Sequence, residues 1–498
     1  MNRKGALGKA AVGGATDLAE TDRIVLTKKQ RECVEYNPNQ HLLVRGIAGS
    51  GKSTVLIERA RHLVRLRTLG GTGPSVLVLA FSRPLSNYMT QLGQKTGTDS
   101  IDIRTFHSMA WSILNSMNLR PADVVSGRDR LDMIEQAVKD AGRNWSGHRL
   151  FAQPLSFWDE EIKWMKGKSI LDFDTYSKTE RLGRGTSVRV TAEDRRVIFD
   201  VFDRYRQSLK GKNLMDYDDF ANVLIEHMDE IPDDLRWDHL LIDEAQDLHE
   251  SQLCVCAGIC NISLTIAADK AQNIYKTGFT WRSIGIDIRG RSKMLDNTHR
   301  STREIVRLAS SLQRHDPIAL SKDEEFIPAA LPTKSGPLPV LFTPGDPDSE
   351  LNLISKLVRE LRRNAPKHTI GVIARSHQRI REIDQCLRRV GIDPESVLRD
   401  EGNVLSPGVK LTTYHSAKGL EFDHVLVTGL SEGVLPDQEP PDSAEEDLKE
   451  WLAVERRLLY VAMTRAKTSL ILIAPSPQSR FINEMDSALY EDGGRYAV

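Results

Sequence analysis

Residues 41–60 read HLLVRGIAGSGKSTVLIERA, and they carry the strongest indication of the fold. The run from His41 to Arg45 predicts a buried strand, and Gly46 to Ser53 then follow the pattern G-x-x-x-x-G-K-S. The next residues predict a helix with apolar positions at Val55, Leu56, Ile57 and Ala60. Glycines in such a loop let backbone N–H groups surround phosphate oxygens, and the helix N-terminus adds a favourable dipole. The order of strand, loop and helix therefore predicts a P-loop that binds a nucleoside triphosphate.

A second stretch, LLIDEAQD at residues 240–247, supplies carboxylates for the same chemistry. Its three apolar residues predict the end of a buried strand, and ligands bind at the carboxyl ends of strands in open parallel sheets. Asp243 could then hold Mg²⁺ through water, and Glu244 could orient and deprotonate an attacking water. In the P-loop, Lys52 is placed to reach the β- and γ-phosphates and Ser53 to reach Mg²⁺.

The composition is that of a globular protein without a strong bias. The chain has 498 residues, which allows about three domains, and a formal net charge of −1. Nucleic-acid binding is not excluded, because a local basic groove is enough for it. Five cysteines are an odd, sparse set that fits a reducing cytoplasm better than a disulfide framework. Three of them lie in SQLCVCAGIC at residues 251–260, which we interpret as a buried helix because no fourth ligand follows at zinc spacing.

Strand and helix patterns alternate in two blocks, which predicts an α/β fold with two parallel-sheet domains. The first block is assigned to residues 21–111 and 225–292, with a mostly helical insertion domain at residues 112–224 between its halves. The second block is assigned to residues 293–475, and residues 476–498 are expected to form a C-terminal tail.

The first twenty or so positions predict neither a signal peptide nor a membrane anchor. Residues 1–20 lack an apolar core and predict a disordered tail. No run of the chain approaches the apolar length that crosses a membrane. We therefore expect a cytoplasmic protein without a membrane partner.

A series of motifs occurs along the chain in one order. They are Gln30, the phosphate loop at 46–53, FSRPLSNY at 81–88, TFHS at 105–108, MDYDDF at 215–220, DEAQD at 243–247, ADKAQNIY at 268–275, NTHRS at 297–301, TTYHSAKGLEF at 412–422 and ERRLLYVAMTRAK at 455–467. In this order the motifs resemble those of superfamily-one helicases of the UvrD/Rep/PcrA type, over most of the chain. The resemblance implies two RecA-like domains of the P-loop NTPase fold with a helical insertion in the first.

The resemblance implies how the nucleotide is held. Gln30 would read the adenine, and Glu421 would contact the ribose. Lys52, Ser53 and Asp243 would hold the triphosphate of ATP and Mg²⁺. The other implied ATP-binding residues are Gly46, Ala48, Gly49, Ser50, Gly51, Thr54 and His299. Relatives have a tyrosine that stacks on adenine where this chain has His299, so stacking at that position is expected to be weaker or dependent on pH.

The resemblance also implies the catalytic residues. Glu244 would be the base for water, and Gln272 would sense the γ-phosphate. Arg300 and Arg465 would come from the second domain, because the planar fork of arginine suits the charge that develops on a transferring phosphoryl group.

In this family, single-stranded DNA crosses both domains with its bases on aromatic rings, and stacking is worth about 1–3 kcal/mol per base. The implied DNA-binding residues are Phe81, Phe106, His107, Tyr275, Trp281 and His415, with Lys418 as a further phosphate contact. Phe279 competes with Trp281 for the stacking role, because the spacing from Tyr275 to Trp281 is longer than in relatives. Core packing remains the alternative for Phe81 and Phe106.

The resemblance implies an ATP-dependent, Mg²⁺-requiring DNA helicase or translocase. It would move 3′ to 5′ on single-stranded DNA, or on DNA with a single-stranded tail, in repair, replication or recombination. The interval from Ala374 to Lys410 has room for little more than a helix and a loop, where full-length relatives have a second insertion domain. The alternative is a DNA-sensing ATPase subunit that serves a partner nuclease, as in Gabija-like antiphage defence systems. A P-loop kinase or GTPase switch would need neither the TFHS motif nor the paired arginines.

Overall fold

The described part of the chain forms two large parallel β-sheets with helices packed against them, and a small two-stranded sheet. The computed structural model describes residues 26–46, 49–66, 73–95, 101–181, 188, 190–268, 286, 288–295, 300–315, 331–397, 403–439 and 445–494. The expected N-terminal tail at residues 1–20 lies outside these ranges. No described helix is long and apolar enough to span a membrane.

The first sheet carries the P-loop. Its strands are β1 Leu42–Gly46, β2 Val76–Ala80, β3 Asp102–Thr105, β6 Trp237–Ile242, β7 Cys260–Ala268 and β8 Ser292–Leu295. They lie in the order β3-β2-β6-β7-β1-β8, and all pairs are parallel. The sequence VLVLA of β2 is buried throughout, as expected for an inner strand whose faces are both covered by helices.

The helices of this half are α1 Lys28–Val34, α2 Lys52–Val64, α3 Arg83–Lys95, α4 Phe106–Ser116, α9 Asp219–Glu226 and α10 Glu250–Gly258. A capping box begins α1, where the Thr27 hydroxyl accepts from the backbone N–H of Gln30 and the Gln30 side chain accepts from the N–H of Thr27. Two of the clustered cysteines, Cys254 and Cys256, lie on α10 as expected. Cys260 instead begins β7, because the helix ends at Gly258.

The insertion between β3 and β6 contains helices α5 Gly127–Asn144, α6 Leu155–Gly167, α7 Phe173–Lys178 and α8 Ala192–Gly211. It also contains a parallel pair of short strands, β4 Asp123–Val125 and β5 Leu214–Asp216. The expected insertion limits of 112 and 224 fall inside α4 and α9, which both pack into the core of the first sheet.

Buried charges fasten the insertion to the first domain. The Lys166 ammonium on α6 lies 2.9 Å from the Asp216 carboxylate on β5 and 2.7 Å from that of Asp219 on α9. Asp216 also accepts from Tyr205 at 2.7 Å and lies 3.1 Å from the Arg130 guanidinium. Because α9 belongs to the core of the first sheet, this network ties three insertion helices to that core.

The second sheet is formed by β9 Val340–Phe342, β10 Thr369–Ala374, β11 Glu395–Ser396, β12 Gly408–Thr413, β13 Phe422–Val427, β14 Ala466–Ile473 and β15 Glu491–Asp492. The described strands lie in the order β11-β12-β10-β13-β14-β9-β15 and are parallel. Its helices are α11 Arg303–Gln313, α12 Pro347–Asn364, α13 His377–Arg389, α14 Glu445–Met463 and α15 Phe481–Glu484. Between β10 and β12, the described residues form α13 and the two-residue strand β11.

Two expected domain limits need correction. The boundary between residues 292 and 293 falls inside β8, which pairs with β1 and so belongs to the first sheet. The expected tail at residues 476–498 contributes α15 and the edge strand β15, which pairs with β9. Neither could be read from local pattern, because short edge strands have little apolar alternation of their own.

One hydrophobic cluster runs through both halves of the molecule. On the first-domain side it contains Leu85, Tyr88 and Leu241, and on the second-domain side it contains Tyr414 and Leu459, all buried. The two sheets are therefore joined by apolar packing, with the cleft of the P-loop beside it.

Candidate active site

The P-loop follows β1 and leads into α2, as the sequence predicts. Gly49 and Gly51 have φ values of 74° and 84°, in the left-handed region where glycine avoids the steric cost of a side chain. A Cβ on Gly51 would also lie 2.5 Å from the Nε2 atom of Gln30. Position 51 therefore requires glycine for both its backbone conformation and its packing. Ala48 lies outside the described residues.

Gln30 is buried against this loop. Its carboxamide Nε2 donates to the Ser50 carbonyl at 3.0 Å, and its Oε1 accepts from the Thr27 N–H at 3.0 Å. The capping box of α1 thus positions a side-chain amide over the P-loop, which is where the resemblance implies an adenine contact.

The lysine and serine of the loop both donate hydrogen bonds to oxygen atoms at the ends of strands. The Lys52 ammonium is buried and donates to the Gly46 carbonyl at 2.8 Å. The Ser53 hydroxyl donates to an Asp243 carboxylate oxygen at 2.5 Å, across 190 residues of sequence. Burial and the adjacent charge of Glu244 raise the pKa of Asp243 to about 6. A divalent cation would relieve this carboxylate, and a hydroxyl with a carboxylate is an oxygen donor set that suits Mg²⁺.

Glu244 lies beside this pair in an unusual backbone conformation. Its φ of 50° is left-handed, and its carboxylate accepts from the Gln246 side-chain amide. Burial would raise the pKa of Glu244. The positive charges of Lys418, Lys52 and Arg465 outweigh burial and hold that pKa below its usual value. The carboxylate is therefore kept ionised, as a base for water must be.

Two arginines of the second domain face the same cleft. Arg300 forms an ion pair with Glu421, with 2.5 Å between Nη2 and Oε1. Burial and the neighbouring Arg300 lower the pKa of Arg465 to about 9. Among the described residues, the buried Nε and Nη1 atoms of Arg300 have no hydrogen-bond partner. A guanidinium with unpartnered nitrogens beside a second, fully buried guanidinium suits an anion with several oxygens, such as a triphosphate.

A groove of about 1020 Å³ opens between the first sheet and the insertion domain. It is lined by Phe81, Arg83, Thr105, His107, Ser108, Trp111, Asp123, Val124, Val125, Ser126, Gly127, Arg130, Leu131, Asp159, Lys163, Tyr217, Asp218 and Phe220. Aromatic rings cluster on one wall, where the centroids of His107 and Tyr217 are 5.2 Å apart and those of Trp111 and Phe220 are 5.8 Å apart. Trp111 and Tyr217 are exposed, by 37% and 45%, so their faces are open to stacking by bases.

The structure places the implied DNA-binding residues in different environments. Phe81 and His107 line the groove, and His415 is exposed on the loop after β12. For Phe106 the implied DNA contact is corrected in favour of the core-packing alternative, because Phe106 is only 3% exposed and packs in the core of the first sheet. Lys418 is also corrected, because its buried ammonium pairs with Asp247. Five residues with implied roles lie outside the described part of the chain: Gln272, Tyr275, Phe279, Trp281 and His299.

Two groove residues were missed by sequence reasoning although a signal existed. Trp111 lies four residues after His107 on α4, a spacing that places both side chains on one helix face. Tyr217 is the third residue of the MDYDDF motif, which precedes the acidic strand β6. The partners of Lys418 had no comparable local signal, since Asp247 is 171 residues away.

A nucleotide site whose residues come from two parallel-sheet domains is typical of P-loop motor ATPases with two RecA-like domains. The family described as the UvrD/REP helicase N-terminal domain matches residues 26–284, and the UvrD-like helicase C-terminal domain matches residues 395–476. The chain belongs to the UvrD/Rep helicase family, and this membership makes it an enzyme of the ATP-dependent helicase class.

Named relatives agree with this family. DNA helicase IV of Escherichia coli (strain K12) is 24% identical over 501 residues, which cover 90% of this chain and 69% of that protein. A probable DNA helicase of Mycoplasma pneumoniae is 25% identical, covering 91% of this chain and 84% of the relative. The ATP-dependent DNA helicase PcrA of Bacillus subtilis is 25% identical, over 58% of this chain and 40% of PcrA. The chain thus matches well under half of PcrA and most of the other two relatives.

Proposed function

We propose that the chain is a DNA-stimulated ATPase that moves 3′ to 5′ along single-stranded DNA and separates the strands ahead of it. The observation that carries this proposal is the meeting of Lys52, Asp243 and Glu244 of one domain with Arg300 and Arg465 of the other. An ATP site that needs both domains can convert hydrolysis into relative movement of those domains.

Each residue has a part in the proposed hydrolysis. Lys52 would leave the Gly46 carbonyl to contact the β- and γ-phosphates. Ser53 and Asp243 would hold Mg²⁺, which neutralises phosphate charge when bound. Glu244, which stays ionised, would take the proton of the attacking water.

The second domain completes the proposed site. Arg300 would use the two nitrogens that Glu421 leaves free to stabilise the charge on the γ-phosphoryl oxygens, with Arg465 beside it. Because both arginines belong to the second domain, contact with the phosphates would draw the domains together. Loss of the γ-phosphate would release them.

The groove supports single-stranded DNA as the polymer. Its exposed Trp111 and Tyr217 offer ring faces, and stacking on them would not depend on sequence. Arg83 supplies an exposed positive charge at its rim. Within the resemblance, repair, replication or recombination are the processes that such a motor would serve.

The test combines ATP turnover with strand displacement on 3′-tailed, 5′-tailed and blunt duplexes of one sequence. We expect turnover to rise with single-stranded DNA and displacement to occur on the 3′-tailed duplex alone. Displacement from 5′ tails would reverse the proposed polarity. DNA-stimulated turnover without displacement would instead favour a translocase, or a DNA-sensing ATPase that serves a partner nuclease.

A further inference from the structure

Lys418 is a buried lysine of the second domain whose charge is satisfied by the first domain. It lies in the loop between β12 and β13, and its side chain is 1% exposed. Its ammonium forms an ion pair with the Asp247 carboxylate and lies 3.6 Å from a Glu244 carboxylate oxygen. A buried ammonium needs such partners, because burial of an unpaired charge is costly. Lys418 therefore contacts the acidic motif that contains the proposed base.

The same ammonium also lies over an aromatic ring that lines the groove. It lies 5.9 Å from the centroid of the Phe81 ring, within the range of a cation–π contact. Phe81 is half-buried and lines the groove at the carboxyl end of β2. One charged group thus has a groove residue on one side and the carboxylates of the hydrolytic site on the other.

The loop that carries Lys418 is packed closely on the segment that follows Phe81. Gly419 has a φ of +80°, and a Cβ there would lie 2.6 Å from the Cδ1 atom of Leu85 on α3. The N–H of Ala417 donates to the Thr413 carbonyl at 2.8 Å, so the loop is also fixed to the end of β12. A shift of the Phe81 segment would therefore press on the Lys418 loop.

We propose that Lys418 is a positioning residue that couples occupancy of the groove at Phe81 to the carboxylates of Asp247 and Glu244. A base that stacks on Phe81 would move the ring, and the ammonium over that ring would move relative to both carboxylates. The inference rests on the proposed function, since it explains how single-stranded DNA would stimulate ATP hydrolysis.

The test measures ATP turnover of the full chain with and without saturating oligo(dT), and the binding of labelled oligo(dT) by fluorescence anisotropy. In Lys418→Met, we expect the ratio of stimulated to unstimulated turnover to fall about fivefold or more, a typical size for coupling between sites. We expect oligo(dT) affinity to be retained, because Lys418 is buried and does not contact the strand.

Lys410→Met is the matched control. Lys410 is also 1% exposed and lies on β12, but its ammonium pairs with Glu395 and contacts the Ser406 hydroxyl at 2.7 Å, away from the acidic motif. Loss of this buried lysine should leave the stimulation ratio unchanged. An equal fall in both variants would mean that any damage to the second domain lowers the ratio, and would overturn the proposal.

A double variant and a groove variant separate coupling from simple charge imbalance. Lys418→Met with Asp247→Asn removes the unpaired carboxylate, and we expect stimulation to stay low. Recovery of stimulation there would overturn the proposal. Phe81→Leu should lower the ratio in the unmodified chain and have little further effect in Lys418→Met, because both act through one contact.

Stimulation of the unmodified chain by oligo(dT) distinguishes failure of the coupling from failure of the proposed function. If oligo(dT) stimulates it and Lys418→Met equally, the coupling fails while the proposed function stands. If oligo(dT) does not stimulate the unmodified chain, the proposed function fails and the coupling fails with it.

Discussion

Glu244 is turned by its own backbone. In a strand, neighbouring side chains point to opposite faces, so Asp243 and Glu244 could not both face one cleft if β6 continued through them. The strand ends at Ile242, and the φ of 50° at Glu244 breaks the alternation. A left-handed conformation costs a residue other than glycine about 1–2 kcal/mol. The strain allows one carboxylate to meet Ser53 and the next to lie near Lys418.

Glu244 is the proposed base for the attacking water, and a single substitution tests this role. Glu244→Gln keeps the size and the hydrogen-bonding shape of the side chain but removes its ability to take a proton. We expect ATP turnover to fall by about 10²–10⁴-fold, the usual contribution of general base catalysis. Binding of a fluorescent ATP analogue should persist, and turnover is measured by phosphate release.

Glu250→Gln is the control for this prediction. Glu250 lies six positions later, at the start of α10, and its carboxylate pairs with Lys168 at 3.1 Å. We expect this variant to keep its turnover. Unimpaired turnover in Glu244→Gln would remove Glu244 from the role of base.

At the scale of elements, the junction of α6, β5 and α9 decides how firmly the insertion domain is held. Burial would raise the pKa of Asp216, but the charges of Lys166 and Arg130 outweigh burial and hold that pKa well below its usual value. A depressed carboxyl pKa stabilises the fold above the pKa of the unfolded chain. That stability is lost as pH falls through the range between the unfolded and the folded pKa.

Lys166→Met tests this junction. The variant removes the ammonium shared by the buried Asp216 and the half-buried Asp219, so we expect the free energy of unfolding to fall by about 3–5 kcal/mol. Urea denaturation at neutral pH measures the change. Lys163→Met is the control on the same helix. Lys163 forms an ion pair with Asp159, four residues earlier, and its side chain is about half exposed. Such a pair should contribute about 0.5 kcal/mol or less. Equal losses in the two variants would contradict a special role for the buried network.

At the scale of the whole molecule, the groove depends on both the first sheet and the insertion domain. Trp111 comes from α4, and Tyr217 follows β5, so their rings line one groove only in the assembled fold. Trp111→Ala or Tyr217→Ala should weaken oligo(dT) binding by about 1–3 kcal/mol, the contribution of one stacked base. The dependence of binding on salt should keep its slope, since no phosphate contact is removed.

Phe173→Ala is the control for the groove. Phe173 is an exposed ring of the insertion domain, 36% accessible, and it does not line the groove. Its loss should leave oligo(dT) affinity unchanged, measured by anisotropy in the same buffer. If both groove variants bind oligo(dT) as tightly as the unmodified chain, the strand runs elsewhere.

The sequence predicted what is encoded locally. The P-loop needs glycines at fixed positions between a strand and a helix, so Gly49, Gly51 and Lys52 could be assigned from spacing alone. Whether Phe106 is buried or exposed could not be predicted from local sequence, because a helix residue faces the core or the solvent according to what packs on it. The edge strands β8 and β15 were missed for a similar reason, since their partners are distant in the chain. The sequence predicted a phosphate contact for Lys418. Its pairing with Asp247 could not be predicted, because that ion pair forms only when the two domains meet.

The hydrophobic cluster shared by the two halves limits how a motor of this kind can move. Wide separation of the sheets would expose buried side chains such as Leu85 and Tyr414 to water, at about 25 cal/mol for each Å² of apolar surface. Sliding of packed faces past one another keeps those side chains covered and changes the cleft by small displacements. We therefore expect the domain movement during the ATP cycle to be a shear of short amplitude, in which the two domains slide along their apolar contact.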